Sequence, residues 1–207
     1  MDKKIQKFLE GEDIKFEVIK HRKVYTAFNA AETQHINPKE VVKTVLVKFD
    51  KPLAFVTEFP APQAAPKKAI KTSKSKAVPA PAPKVEKYSL ALVAVPAGKH
   101  LDFKKIDTFV FDVQSKLYKK LVKQNPKLPK PIKVKSSIAK EKDIAAKLNT
   151  KYLLAPLEIY DLPLFMDKKL TLNKNIIFTA GSFTESVKVP SKQFFKATEP
   201  ILGNFAK

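Results

Sequence analysis

Val41-Val42-Lys43-Thr44-Val45-Leu46-Val47 is the stretch from which the fold is read. β-Branched and apolar residues dominate it, and such a run fits a buried strand better than a helix. The pattern predicts a strand from Thr44 to Phe49. Lys43 interrupts the run. An ammonium group is costly to desolvate, so this lysine either faces a cleft or carries its amine out to the surface on its long stem. Upstream, Thr26 can cap a helix running through Ala30, Ala31 and Glu32, and a break falls between His35 and Pro38. Pro38 suits the first turn of another helix, whose end delivers Lys43. Downstream, Asp50-Lys51-Pro52 is a turn signal, and Leu53 to Phe59 reads as a second strand.

Working outward, residues 2–10 form a short amphipathic helix on Ile5, Phe8 and Leu9, stopped at Gly11. Phe16-Glu17-Val18-Ile19 alternates like a strand, and Ser89 to Val95 is the candidate for a central one. Asp102 can cap a long helix with Ile106, Phe109, Val113, Leu117 and Leu121 at helical spacing. Three prolines between Asn125 and Pro131 end it. Ile132 to Val134 reads as a short strand and Lys140 to Leu148 as a helix. Tyr152 to Leu157, Leu162 to Met166, Ile176 to Thr179 and Ser186 to Val189 read as strands. Ser191 caps a last short helix carrying Phe194 and Phe195. The sum is an α+β chain: one mixed, multistranded sheet with flanking helices, in a single domain over residues 1–207.

That domain is interrupted. Residues 60–87 hold six prolines among Ala, Lys and Ser, a composition that cannot bury enough apolar surface to offset ordering. The segment is expected to be a disordered loop between two strands. It carries seven lysines and one acid, and residues 116–142 carry ten lysines and one acid. Together they hold +15 of the formal charge of +20, so the charge is segregated, as a polyanion surface requires. Arg22 is the only arginine, however, and solvated lysine faces would give the same totals. With no cysteine, thiol catalysis, cysteine-ligated zinc and disulfides are excluded. No apolar region follows Met-Asp-Lys-Lys, and the longest apolar run is far short of the roughly 20 residues of a membrane span. A cytoplasmic protein that does not enter membranes is expected.

Familiar catalytic constellations are missing. His21, His35 and His100 are the only histidines, and no pair has metal-ligand spacing on a helix. Gly98-Lys99-His100 lacks the rest of a phosphate-binding loop. Asp161 and Asp167 have no partnered base and read as turn residues. No metal or cofactor is expected. Only four glycines occur, and Gly181 interrupts an apolar strand just before Ser182, where it can permit a bulge or the close approach of a ligand.

Val41 to Val47, followed by Val93-Ala94-Val95-Pro96-Ala97-Gly98-Lys99 with Leu101-Asp102-Phe103-Lys104-Lys105, and then by Phe178-Thr179-Ala180-Gly181-Ser182, resembles the YbaK-like family. That family holds free-standing aminoacyl-tRNA deacylases and the editing insertion of bacterial prolyl-tRNA synthetase. The resemblance covers roughly residues 2–50, 88–107 and 132–198. Lys43-Thr44 matches the family's functional lysine and the threonine after it. Gly181 matches the glycine of its late strand, and His21 falls where the family often has a histidine. Where the family has a Gly-x-x-Pro loop lining the amino-acid pocket, this chain has Leu153-Leu154-Ala155-Pro156. No histidine follows His100, so the editing-domain histidines near that loop have no counterpart.

The resemblance implies hydrolysis, in trans, of the ester of a misacylated tRNA, with proline tRNA carrying a small wrong amino acid as the foremost substrate. Lys43 and Gly181 would then be the catalytic positions. Thr44, Ser182, His21, Leu153, Ala155 and Pro156 would bind substrate. Lys116, Lys119, Lys120 and Lys123 are expected to bind the RNA. The expected partners are the tRNA acceptor end and an aminoacyl-tRNA synthetase. The alternative is a non-catalytic tRNA-binding or synthetase-associated module on the same fold, which the leucine at 153 favours.

Overall fold

The strand that contains Ser89–Val95 is buried on both of its faces, and the molecule is organised around it. The computed structural model describes residues 1–56, 85–123, 129–140, 143 and 153–207. Within them the central strand β3 runs from Val85 to Pro96 and pairs antiparallel with β2, Val42–Val56. Successive side chains of β3 go to opposite sides. Leu90, Leu92 and Ala94 enter one hydrophobic cluster, and Ala91, Val93 and Val95 enter another. A run that is apolar at every position is what two-sided burial demands.

The order in the larger sheet is β4-β2-β3-β5-β8, with β4 at Ser136–Ile138, β5 at Leu164–Asp167 and β8 at Ile201–Gly203. β5 lies parallel to both β3 and β8. The second sheet has the order β1-β7-β6, all antiparallel, from Glu17–Lys20, Glu185–Pro190 and Asn175–Ser182. Among the described residues the strands therefore form two sheets, where a single one was expected. They meet at Val41, which forms a lone parallel bridge to Ile177. Ile177 N–H donates to the Glu40 carbonyl at 2.9 Å and Ala97 N–H to the Val41 carbonyl at 2.8 Å.

Four α-helices with both ends among the described residues lie against the sheets. α1, Lys3–Gly11, is capped by Asp2, whose carboxylate accepts from Lys4 N–H, and it buries Ile5 and Leu9 in the cluster between the sheets. α2, Ala27–Thr33, is capped by Thr26, whose hydroxyl accepts from Asn29 N–H at 3.1 Å. α3, Phe103–Leu121, is capped by Asp102 and covers the opposite face of the larger sheet with Ile106 and Val110. α4, Ser191–Thr198, brings Phe194 against Phe178, ring centroids 5.6 Å apart. No helix among the described residues is long and apolar enough to cross a membrane.

Several local expectations change. Asn37 to Glu40 is a turn, not a helix: the Asn37 side chain accepts from Lys39 N–H and its carbonyl from Glu40 N–H. Asp50-Lys51-Pro52 is not a hairpin turn but an irregularity inside β2, where the register shifts between Lys48 and Leu53. Asp50 pairs instead with Lys135, taking its N–H on the carboxylate at 2.8 Å and giving its own to the Lys135 carbonyl. A proline without an N–H is accommodated at such a bulge. Ile132–Val134 and 153–157 are not strands; the paired segment after α3 is β4. The buried residues of α3 are Ile106, Val110, Gln114 and Leu121; of the predicted stripe Ile106 and Leu121 are among them and Phe109 packs half-buried against the same cluster, while Gln114 turns inward to accept from Ile132 N–H. Ser191 does not cap α4; Pro190 occupies the cap position and contributes no side-chain bond. The expected loop 60–87 ends earlier than read, since β3 begins at Val85, and the rest of it lies outside the described residues. So does most of the expected helix at Lys140–Leu148.

Candidate functional site

Where the two sheets separate after Val41, a cavity of about 270 Å³ opens under α2. Its walls come from five places: His21 after β1, the first turns of α2, Val41 to Thr44 entering β2, Leu153 and Leu154, and the β6–β7 hairpin with Phe178, Thr179, Ser182, Glu185 and Ser186. Five of the residues singled out in the sequence therefore border one space: His21, Lys43, Thr44, Leu153 and Ser182.

Gly181 does not line it. Its φ of 82° lies in the left-handed region, at the irregularity where β6 leaves register with β7 between Thr179 and Ser182. Its open side meets α1: a Cβ built there would stand 2.6 Å from Asp2 Cβ. Its N–H is taken by Thr179 Oγ1 at 3.1 Å. Ala155 and Pro156 are buried just beyond the cavity wall, with Ala155 N–H bonded to the Tyr160 hydroxyl at 3.2 Å. Lys116, Lys119 and Lys120 are exposed on α3, and Lys123 is exposed just beyond its end. None of the four borders the cavity.

Alternation along β2 separates Lys43 from Thr44. Thr44 shares its side of the strand with Val42 and Leu46, which face the space between the sheets; Lys43 shares the other with Val45 and Val47. The half-buried Lys43 ammonium donates to the Lys99 carbonyl. Burial lowers its pKa below the usual lysine value. The Thr44 hydroxyl is buried without a hydrogen-bond partner. An unmatched hydroxyl in a cavity wall is costly unless something that enters the cavity satisfies it.

Sequence reading missed the polar network on the β7 wall. His21 Nδ1 lies 2.8 Å from the Arg22 carbonyl oxygen, and Nε2 lies 3.0 Å from Ser186 Oγ. Gln34 Nε2 donates to the same Ser186 oxygen at 3.2 Å. Glu185 accepts from the Met1 amine, and that bond holds its carboxyl below the usual range. The signal for Ser186 was its parity: Val187 and Val189 enter the core, so Ser186 and Lys188 point the other way. Which way that is becomes visible only once α2 is seen to cover that face.

At the rim, Tyr25 is 67% exposed and leans on Phe183, ring centroids 5.3 Å apart, with Lys23 Nζ 5.3 Å from the Tyr25 centroid. On the far side of His21 lies a more open hollow bordered by Lys20, Arg22, Glu32 and His35. Among the described residues no three His, Cys, Asp or Glu side chains gather into a possible metal site. The cavity thus has Lys43 in its wall, with the ammonium held by the Lys99 carbonyl, together with an unpartnered hydroxyl, a histidine–serine pair and an apolar floor at Phe178. That set can hold a polar ester or amide with an anionic extension.

No protein-family model matches the chain, and no curated protein sequence matches it. Solved structures do share its fold. The hypothetical protein APE2540 superposes with a TM-score of 0.61 at 13% identity, covering 99% of this chain and 100% of its own. A candidate trans-editing enzyme for prolyl-tRNA synthetase superposes with a TM-score of 0.60 at 13% identity, covering 99% of this chain and 95% of its own. At that identity the likeness concerns the fold alone.

Proposed function

We propose that this chain hydrolyses the ester bond of misacylated tRNA in trans. The observation that carries the reading is the convergence of His21, Lys43, Thr44, Leu153 and Ser182, drawn from separate segments, on one cavity. The shared fold with a candidate trans-editing enzyme for prolyl-tRNA synthetase supports it. An aminoacyl ester is an activated bond, so the site's main tasks are to position the carbonyl and to stabilise charge as it develops on the oxygen. In this reading the unpartnered Thr44 hydroxyl meets the substrate inside the cavity, and the Lys43 ammonium meets an anionic group at its edge. Proline tRNA carrying a small wrong amino acid is the foremost substrate, and the lysines of α3 hold the acceptor end as a polyanion. We take residues 1–207 as one domain of this kind.

Incubation with a panel of misacylated tRNAs tests the reading. Loss of the aminoacyl group well above the spontaneous rate, for at least one small amino acid, is the expected result. No acceleration across the panel, with tRNA still bound, would instead establish a non-catalytic tRNA-binding or synthetase-associated module. The observation favouring that second reading is Leu153, whose side chain borders the cavity where the resembled family has glycine.

A further inference from the structure

The hydrogen-bond chain through His21 has only one consistent proton assignment for a neutral ring. The Arg22 carbonyl can only accept, so His21 Nδ1, 2.8 Å away, carries the proton. Nε2 then presents its lone pair to Ser186 Oγ at 3.0 Å, and the serine hydroxyl donates to it. With its proton committed to His21, Ser186 Oγ accepts from the Gln34 amide N–H at 3.2 Å. Reversing the Gln34 amide would set its oxygen against an oxygen that has no proton left to give. Ser186 is only 4% exposed, yet it borders the 270 Å³ cavity. A serine that gives its proton to a histidine, whose other nitrogen is fixed by a third group, has the arrangement of an activated nucleophile.

We infer that Ser186 and His21 form a nucleophile–base pair that cleaves carboxylic esters through an acyl-serine intermediate. The inference rests on the ester-hydrolase reading for its natural substrate, but it adds a covalent step that reading does not require. Ser186 Oγ bonds to the ester carbonyl carbon, its proton passes to His21 Nε2, and the carbonyl π pair moves onto oxygen. The tetrahedral adduct re-forms the carbonyl and breaks the bond to the ribose oxygen, which takes the proton from Nε2. Water then adds to the acyl-serine and gives a proton to Nε2. Collapse expels Ser186 Oγ, which recovers that proton. Ester and water have become acid and alcohol. Gln34 is a positioning residue, holding Ser186 Oγ through its amide N–H.

The test uses the purified full chain and a fluorophosphonate probe, read by intact mass and peptide mapping. Stoichiometric labelling at Ser186 is expected, abolished in Ser186→Ala and slowed at least about 10²-fold in His21→Ala, the scale of losing a general base. Ser186→Cys guards against loss of fold in the alanine variant. The chain has no cysteine, so this substitution supplies its single thiol. Beside His21 that thiol is expected to alkylate with iodoacetamide faster than the same variant carrying His21→Ala. Absence of labelling at Ser186, or equal alkylation with and without His21, overturns the inference. So does Ser186→Ala deacylating tRNA at the wild-type rate, an outcome that leaves the proposed function standing. Labelling at Ser186 in a protein inert toward every misacylated tRNA keeps the dyad and removes the tRNA substrate.

Discussion

Gly181 and Asp2 touch where no side chain could fit between them: a Cβ on Gly181 would lie 2.6 Å from Asp2 Cβ and 3.5 Å from Ile5 Cδ1. Asp2 also donates its backbone N–H to the Ala180 carbonyl at 2.8 Å, and its carboxylate caps α1. The glycine seats the start of α1 on the β6–β7 hairpin.

Gly181→Ala is therefore expected to destabilise the protein. The left-handed backbone and the clash with Asp2 each contribute, for a total on the order of 1–3 kcal/mol. Thermal melts measure the loss. If the molecules that remain folded deacylate tRNA at the wild-type rate, Gly181 serves packing. A large fall in kcat with an unchanged melting temperature would return it to the catalytic role implied by the family resemblance.

Lys43 separates stability from activity in the opposite way. Burial lowers its pKa, so between that lowered value and the ordinary value of 10.5 the unfolded chain binds more protons than the folded one. Its contribution to stability consequently rises with pH through that window. Lys43→Met is expected to flatten this part of the stability–pH curve while cutting deacylation at least about 10²-fold, the scale of removing one key electrostatic donor. A variant as active as wild type would remove Lys43 from the site.

Glu158 has the reverse sign. Desolvation, followed by repulsion from Glu12 and Glu199, raises its pKa above the ordinary 4.5. The folded state holds the extra proton, so this group lowers stability as pH climbs through the raised value. Glu158→Gln is expected to melt higher than wild type at neutral pH, with the gain vanishing below about pH 4. A gain that persists in acid would assign the effect to packing.

How much of this was legible in the sequence depended on the range of the interaction. Thr26 and Asp102 announce α2 and α3 because a cap is a contact within three residues. Leu90 to Val95 announces a two-sided strand because burial on both faces leaves no polar position. The division into two sheets was not legible, since it turns on one bridge between Val41 and Ile177. The expected helix at Pro38 gave way to the Asn37 side chain, which closes a turn by itself. For the site, Lys43 stood out as a charge inside an apolar run. Ser186 and Gln34 did not, because each becomes unusual only when β7 and α2 are placed face to face.

The α3 lysines carry the expectation about RNA. Lys116, Lys119, Lys120 and Lys123 are exposed and none borders the cavity, so they can be neutralised without touching it. Each phosphate contact contributes about 0.9 to the slope of log affinity against log salt on a duplex. Replacing all four by glutamine is expected to flatten that slope for tRNA by roughly two to four, with kcat on a saturating substrate unchanged. An unaltered slope places the RNA surface elsewhere on the chain.

Leu153 bears most directly on what the cavity accepts. Its side chain borders a space of about 270 Å³ beside Leu154 and Phe178. Leucine there fills volume that glycine would leave open, and a filled wall rejects a large group more firmly than an empty one selects for it. An added methylene in a pocket is worth only about 1–3 kcal/mol. The wild-type protein is therefore expected to release alanine or serine from tRNA in preference to proline, and Leu153→Gly to extend activity to larger aminoacyl groups. Rates across the panel, compared as kcat/KM ratios rather than single activities, separate selectivity from a general loss. If wild type releases nothing and Leu153→Gly gains activity, the leucine blocks a competent site and the natural protein is a binding module. If the two proteins show the same ranking of amino acids, Leu153 does not set the size of the pocket, and Leu154 and Phe178 are the walls to vary next.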